Sequence, residues 1–287
     1  MSISLESAIN AANQLVETPT GTVAYRKIGK GSPIILCNRF RGTLDNWDPK
    51  FLAELAQHFE VIPYDYQGIG LSTGAQKTTM EGMAEELKSF MDSLEIQNAA
   101  VLGWSYGACV AQAFAAFYPS MVDHLIIVGS NPAGKNDTAP EQIFFDTALK
   151  PSYTVADETI LFFEPAWPKS VIAAQQSHDR IQLRKENLDV PVREEQFDNY
   201  KKGIQNFAED KLDIRGKLNS TDIPILVLMG DHDPSFAVEN WFPLVKESDT
   251  MQLLIIARSG HGPQHEHPIM TSGYISTFIS NTSKTEA

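Results

Sequence analysis

Along most of this chain, short apolar runs alternate with stretches whose apolar residues recur at helical spacing. Residues 4–16 read as a short amphipathic helix, and TVAYRKIG and SPIILCNRF read as two strands separated by a glycine-rich turn. A regular alternation follows: a helix over 46–58, the strand FEVIPYD, a helix over 79–94, the strand NAAVLGW, a small-residue helix stopped by Pro119, and the strand HLIIVG. These strands are apolar without an in/out pattern, as expected of strands covered on both faces. The predicted class is therefore α/β, a mostly parallel central sheet flanked by helices.

The alternation stops near Asn131 and resumes at IPILVLMGD, followed by a helix over 235–245, the strand MQLLIIA and a last helix over 271–282. The interrupting stretch mixes charges with Phe144, Phe145, Phe162, Phe163, Trp167, Phe197, Tyr200 and Phe207 and contains no clear strand. The expected organisation is a core of residues 1–131 and 223–287 with a helical cap or lid inserted over 132–222. The tail SNTSKTEA reads as a frayed end.

Composition narrows the function classes. With 23 Lys+Arg against 36 Asp+Glu, the net charge of −13 repels phosphate backbones and anionic bilayers, so neither nucleic acid nor membrane is an expected partner. No apolar stretch approaches bilayer length, and the first residues lack a basic leader. Two cysteines, Cys37 and Cys109, are too few to staple 287 residues, so a reducing cytoplasm is the expected compartment.

The chemistry centres on Gly103-Trp104-Ser105-Tyr106-Gly107, which falls between an apolar strand and a small-residue helix. In that context G-x-S-x-G has a mechanical meaning. The serine occupies a sharp strand-to-helix turn, the glycines admit neighbouring chain, and the hydroxyl projects above the sheet near a helix N-terminus. The alternative role of Ser105 is a helix cap. A serine nucleophile also needs a base and an orienting acid, and both occur after later strands: an aspartate in GDHDPSF and His261 in RSGHGPQHEHP. Of Asp231 and Asp233, the reading favours Asp233 as the acid and leaves the other to the turn. His261, His265 and His267 with Glu266 are dense, but no second histidine group matches them, so no metal site is expected.

Taken together, GWSYG, DYQGIGLS, GDHD and GHGPQHEHP in this order make the chain resemble the α/β-hydrolase-fold serine hydrolases that carry a cap, over about residues 20–279. The resemblance implies a Ser105–His261–Asp233 triad without cofactor. It also implies an oxyanion hole from the backbone N–H groups of Phe40 and Tyr106. One departure stands out. Where the family has a His-Gly pair, this chain has Asn38-Arg39, which puts the geometry of that loop in question. Arg39 and Trp104 are expected at the substrate pocket; Arg39 could bind an anionic group there, although bracing the loop is its more ordinary role. The expected function is hydrolysis of an ester, lactone or related acyl bond of a small to medium, partly apolar substrate through an acyl-enzyme. The resemblance also implies alternatives, namely carbon–carbon bond hydrolysis, haloperoxidase-like perhydrolysis, or slow-turnover ligand binding on the same triad.

Overall fold

The computed structural model describes residues 2–284. The chain opens with α1 (Leu5–Ile9), β1 (Gln14–Thr18), β2 (Gly21–Tyr25), β3 (Pro33–Cys37), α2 (Pro49–Leu55), β4 (Glu60–Tyr64), α3 (Met80–Ser93), β5 (Ala99–Trp104), α4 (Tyr106–Phe117) and β6 (Val122–Val128). Five helices come next: α5 (Gln142–Ala148), α6 (Val155–Phe162), α7 (Pro168–Ile181), α8 (Phe197–Glu209) and α9 (Ile214–Asn219). The chain then returns to the sheet with β7 (Ile225–Gly230), α10 (Phe242–Glu247), β8 (Met251–Ile256), α11 (Pro263–Glu266) and α12 (Pro268–Asn281). Among the described residues no strand lies between β6 and β7, and no helix is long and apolar enough to cross a membrane.

The eight strands form one sheet in the order β1-β2-β4-β3-β5-β6-β7-β8. From β4 to β8 every pairing is parallel, while β1, β2 and β4 pair antiparallel at one edge. The central strands β5 and β7 are buried at every position, which is why their sequences carry no alternation. Their side chains feed two apolar cores, one on each face. One gathers α3 and α4 against Val101, Ile127 and Val227; the other gathers α2 and α12 against Leu102, Val128 and Leu228.

Several elements differ from the sequence expectation for local reasons. The helix expected over 4–16 is only the five-residue α1, capped by Ser4 Oγ. The stretch that follows becomes β1, which pairs with β2 from Gln14↔Tyr25 to Thr18↔Gly21. Its alternating exposure has the period of an edge strand, and this outweighs the helical spacing of a short segment. The helix expected from residue 46 begins at Pro49, because proline lacks an N–H and Asp48 caps the Lys50 amide at 2.8 Å. The tail is tied down as far as it is described: α12 runs to Asn281, and Lys284 Nζ donates to the Pro119 carbonyl at 2.8 Å. The remaining residues of the expected frayed end, 285–287, lie outside the described residues.

Asp48 also joins α7 to the sheet region. Its carboxylate is fully buried and accepts from Arg180 Nη2 at 2.6 Å and from Ser177 Oγ at 2.8 Å. Removing one partner of such a pair strands a buried charge. Arg180→Ala is therefore expected to lower stability by about 3–5 kcal/mol, read as a shift of the urea midpoint. A loss below about 1 kcal/mol would mean that water replaces the guanidinium freely.

Candidate active site

The turn between β5 and α4 places Ser105 at φ 58° and ψ −120°. A non-glycine residue holds such a conformation only where its surroundings impose it, at a cost of roughly 1–3 kcal/mol. Here the Ser105 N–H donates to the Val128 carbonyl at 2.9 Å, and the Ser105 carbonyl accepts from the Ala108 N–H at 2.9 Å. Close approach of the backbone requires the two flanking glycines. A Cβ on Gly107 would stand 2.0 Å from the Cys37 carbonyl oxygen, and one on Gly103 would stand 2.2 Å from the Gly107 carbonyl oxygen. The Ser105 side chain makes no capping bond to α4, so helix capping does not account for it.

His261 follows β8, and its Nδ1 lies 2.8 Å from Asp233 Oδ2 with both side chains at most 2% exposed. The other carboxylate oxygen, Oδ1, accepts from the Ser235 and Phe236 amides at 2.7 and 3.0 Å. The helix expected from residue 235 is realised as a short 3-10 turn at Val238–Trp241 that leads into α10 at Phe242. Asp231 points elsewhere and meets the ring of His232 at 2.7 Å. With Nδ1 held by a carboxylate, Nε2 is the ring nitrogen left to exchange a proton. Phe236, Phe144 and Phe162 stand 5.5, 6.2 and 6.3 Å from the imidazole, ring to ring. Among the described residues the side-chain hydrogen bonds join His261 to Asp233 and not to Ser105.

A cavity of about 410 Å³ borders Ser105, with Phe40, Tyr106, Phe144, Ile204 and Phe236 among its mostly apolar walls. Tyr106 is the first residue of α4, where backbone N–H groups have no intrahelical acceptor. The Phe40 N–H meets no backbone acceptor among the described residues. Phe40 itself is wedged against Phe197 and Tyr200 at ring distances of 5.3 and 5.2 Å. Asn38 explains how the loop holds without the His-Gly pair. Its Oδ1 accepts from Trp47 Nε1 at 2.7 Å, and its Nδ2 donates to the Tyr64 carbonyl at 2.8 Å and to Asp65 Oδ1 at 3.1 Å. Cys109, one turn beyond the serine, is buried, and burial pushes its thiol up to about 12, so it stays protonated.

The family described as "alpha/beta hydrolase fold" matches residues 32–268. The chain belongs to this family. A protein of Synechocystis sp. provisionally named a non-heme chloroperoxidase is 24% identical over 272 residues, covering 90% of this chain and 94% of the relative. Among solved structures, an alpha/beta hydrolase fold protein from Chitinophaga pinensis superposes with a TM-score of 0.84 at 24% identity, covering 96% of this chain and 99% of the other. A thermophilic esterase from Thermogutta terrifontis gives a TM-score of 0.71 at 22% identity, covering 94% and 98%. The chain is an enzyme of the hydrolase class.

Two expected pocket residues of the hydrolase lie elsewhere. Trp104 is the last residue of β5 and points away from the elbow into the core, where its Nε1 donates to the His261 carbonyl at 2.8 Å and its ring packs 4.6 Å from that of His265. It supports the histidine from behind. Arg39 lines a different cavity and lies over the rings of Phe162 and Trp104 at 4.6 and 5.3 Å. The clustered histidines diverge. His265 is buried, accepts from the Asp48 N–H at 3.2 Å and is pushed down to about 4 by burial, whereas His267 lies 3.6 Å from Glu266. Among the described residues no group of three or more His, Cys, Asp and Glu is arranged to hold a metal ion. Phe144 and Phe145, among the aromatics of the inserted stretch that could line a pocket between cap and sheet, do line the Ser105 cavity, together with Leu149, Ile204 and Phe236, which the sequence did not mark.

Proposed function

We propose that this hydrolase cleaves an ester, lactone or related acyl bond of a partly apolar substrate through a Ser105 acyl-enzyme. The observation that carries the reading is the buried His261–Asp233 contact, set beside a strained serine at the floor of an apolar cavity. In the reaction His261 Nε2 takes the Ser105 proton as Oγ attacks the carbonyl carbon, and then returns it to the leaving group. The same nitrogen next takes a proton from water, whose oxygen attacks the acyl carbon and releases Ser105. Asp233 fixes the tautomer and stabilises the imidazolium. The Phe40 and Tyr106 N–H groups receive the developing oxyanion, and electrostatic terms of this kind carry a large part of catalysis. Every group the reaction needs is a protein group, so the proposal calls for no cofactor.

The helices from α5 to α9 act as the cap in this reading, with α5 and α8 walling the cavity. Exposed Phe145, Leu149 and Ile204 on these two stretches line the cavity and favour an apolar acyl or alcohol portion. The test is intact-mass labelling with a fluorophosphonate probe. Wild type is expected to gain one adduct, and Ser105→Ala and His261→Ala none. A folded wild type that stays unlabelled would overturn the activated-serine reading.

A further inference from the structure

Loop 39–41 has a cavity on each side. Phe40 faces the Ser105 cavity, whereas Arg39 and Arg41 line a second one of about 410 Å³ together with Tyr153, Glu158, Arg184 and Lys185. The carboxylates of this second cavity are already engaged. Asp45 is paired with Arg26 and Arg184, Glu158 holds His178 Nδ1 at 2.8 Å, and Asp189 accepts from the Leu44 and Val190 amides at 3.0 and 2.7 Å.

The cations are not matched in the same way. Among the described residues Arg39, Arg41 and Lys185 form no ion pair, although the chain carries 36 acidic residues against 23 basic ones. Arg41 gives its Nη atoms to three carbonyls, those of Ala148, Lys150 and Pro151, at 3.2, 2.6 and 2.8 Å. Arg39 gives Nη1 to the Phe40 carbonyl at 2.7 Å, and its Nε is buried with no partner at all. Glu158 lies near enough to favour the charge on Arg39 but forms no ion pair with it, and a guanidinium that keeps an unused donor and no direct carboxylate partner is an unusual thing for a fold to retain.

We propose that this second cavity binds a small oxyanion, a phosphate or carboxylate group, with Arg39 as the principal donor and Lys185 and Arg41 supplying further positive charge. A planar guanidinium suits such groups because it can present two parallel N–H donors, and weaker hydration than an ammonium lowers the cost of burying it. The walls formed by Tyr153, Leu188 and Val192 leave room for an organic body attached to the anion. The site is separate from the hydrolytic one and does not depend on how that one works.

The test is calorimetric titration of the full-length protein with inorganic phosphate and, separately, with acetate, at one ionic strength held with sodium chloride. Saturable binding of at least one probe is expected, and the stronger of the two identifies the group. Arg39→Met keeps the apolar stem between the Phe162 and Trp104 rings and is expected to weaken binding about tenfold or more. Lys185→Glu, on an exposed residue that the fold does not need, is expected to weaken it several-fold and carries the test if the Arg39 variant misfolds. Ser105→Ala is expected to bind as wild type does. No saturable binding of either probe, unchanged binding in both charge variants, or loss of binding in Ser105→Ala would each overturn the proposal.

Discussion

Ser105→Ala is expected to lower kcat for a p-nitrophenyl ester by about 10⁴–10⁶-fold, with His261→Ala falling into the same range and the double variant no worse than either. In the proposed reaction nucleophile and base act as one unit, so removing either removes the covalent route. Asp233→Asn separates the parts. The introduced carboxamide can still accept from the Ser235 and Phe236 amides through its oxygen, but it faces His261 Nδ1 with an NH₂ group and thereby favours the wrong tautomer. The kcat of this variant is expected to fall on the order of 10⁴-fold while the fluorophosphonate adduct still forms slowly. Single-turnover assays with each variant measure these losses directly. An Asp233→Asn enzyme within about tenfold of wild type would show that the buried contact only holds structure.

A large effect on stability is also expected in the same turn. In Gly107→Ala a methyl group must enter where the Cys37 carbonyl oxygen stands 2.0 Å away, and the Cys37 carbonyl carbon and Asn38 carbonyl oxygen, at 2.5 and 2.8 Å, are backbone as well. Relief requires β3 and α4 to move apart, which is expected to cost more than about 3 kcal/mol and to shift the urea midpoint accordingly. Gly273→Ala is the matched control. That glycine lies inside α12, is exposed, and has nothing within 4 Å of a Cβ, so alanine there is expected to stabilise by about 0.5–1 kcal/mol. Equal effects at the two positions would show that the elbow yields more easily than its geometry indicates.

The elements legible in the sequence are those whose burial leaves a continuous apolar run, as in β5 and β7, or whose punctuation is chemical, as at Pro119 and Ser105. Ser105, Asp233 and His261 could be named because each follows a strand, and strand ends converge at one edge of a parallel sheet. Side-chain direction was not legible. Trp104 adjoins the serine in sequence yet faces the α2–α12 core, on the same side of β5 as Ala100 and Leu102. Arg39 adjoins Phe40 and lines the other cavity. Edge elements such as β1 failed because five residues carry too little pattern to outweigh a competing helical one. The partner of Asp48 was equally hidden, since only the folded path of α7 brings Arg180 to it.

That last pairing bears on how the molecule is made. Asp48 emerges from the ribosome early, whereas Ser177, which donates a hydrogen bond to it, and Arg180, which neutralises it, follow 129 and 132 positions later. Until then the carboxylate has the Lys50 amide but no counter-charge to be buried with, so the Asp48 end of α2 must stay hydrated and the first half of the sheet cannot seal on that side. The serine likewise waits for Asp233 and His261, which β7 and β8 deliver last. A nascent or truncated chain is thus unsealed on that side, and under the proposed reaction its serine gains acid and base only once β7 and β8 are in place.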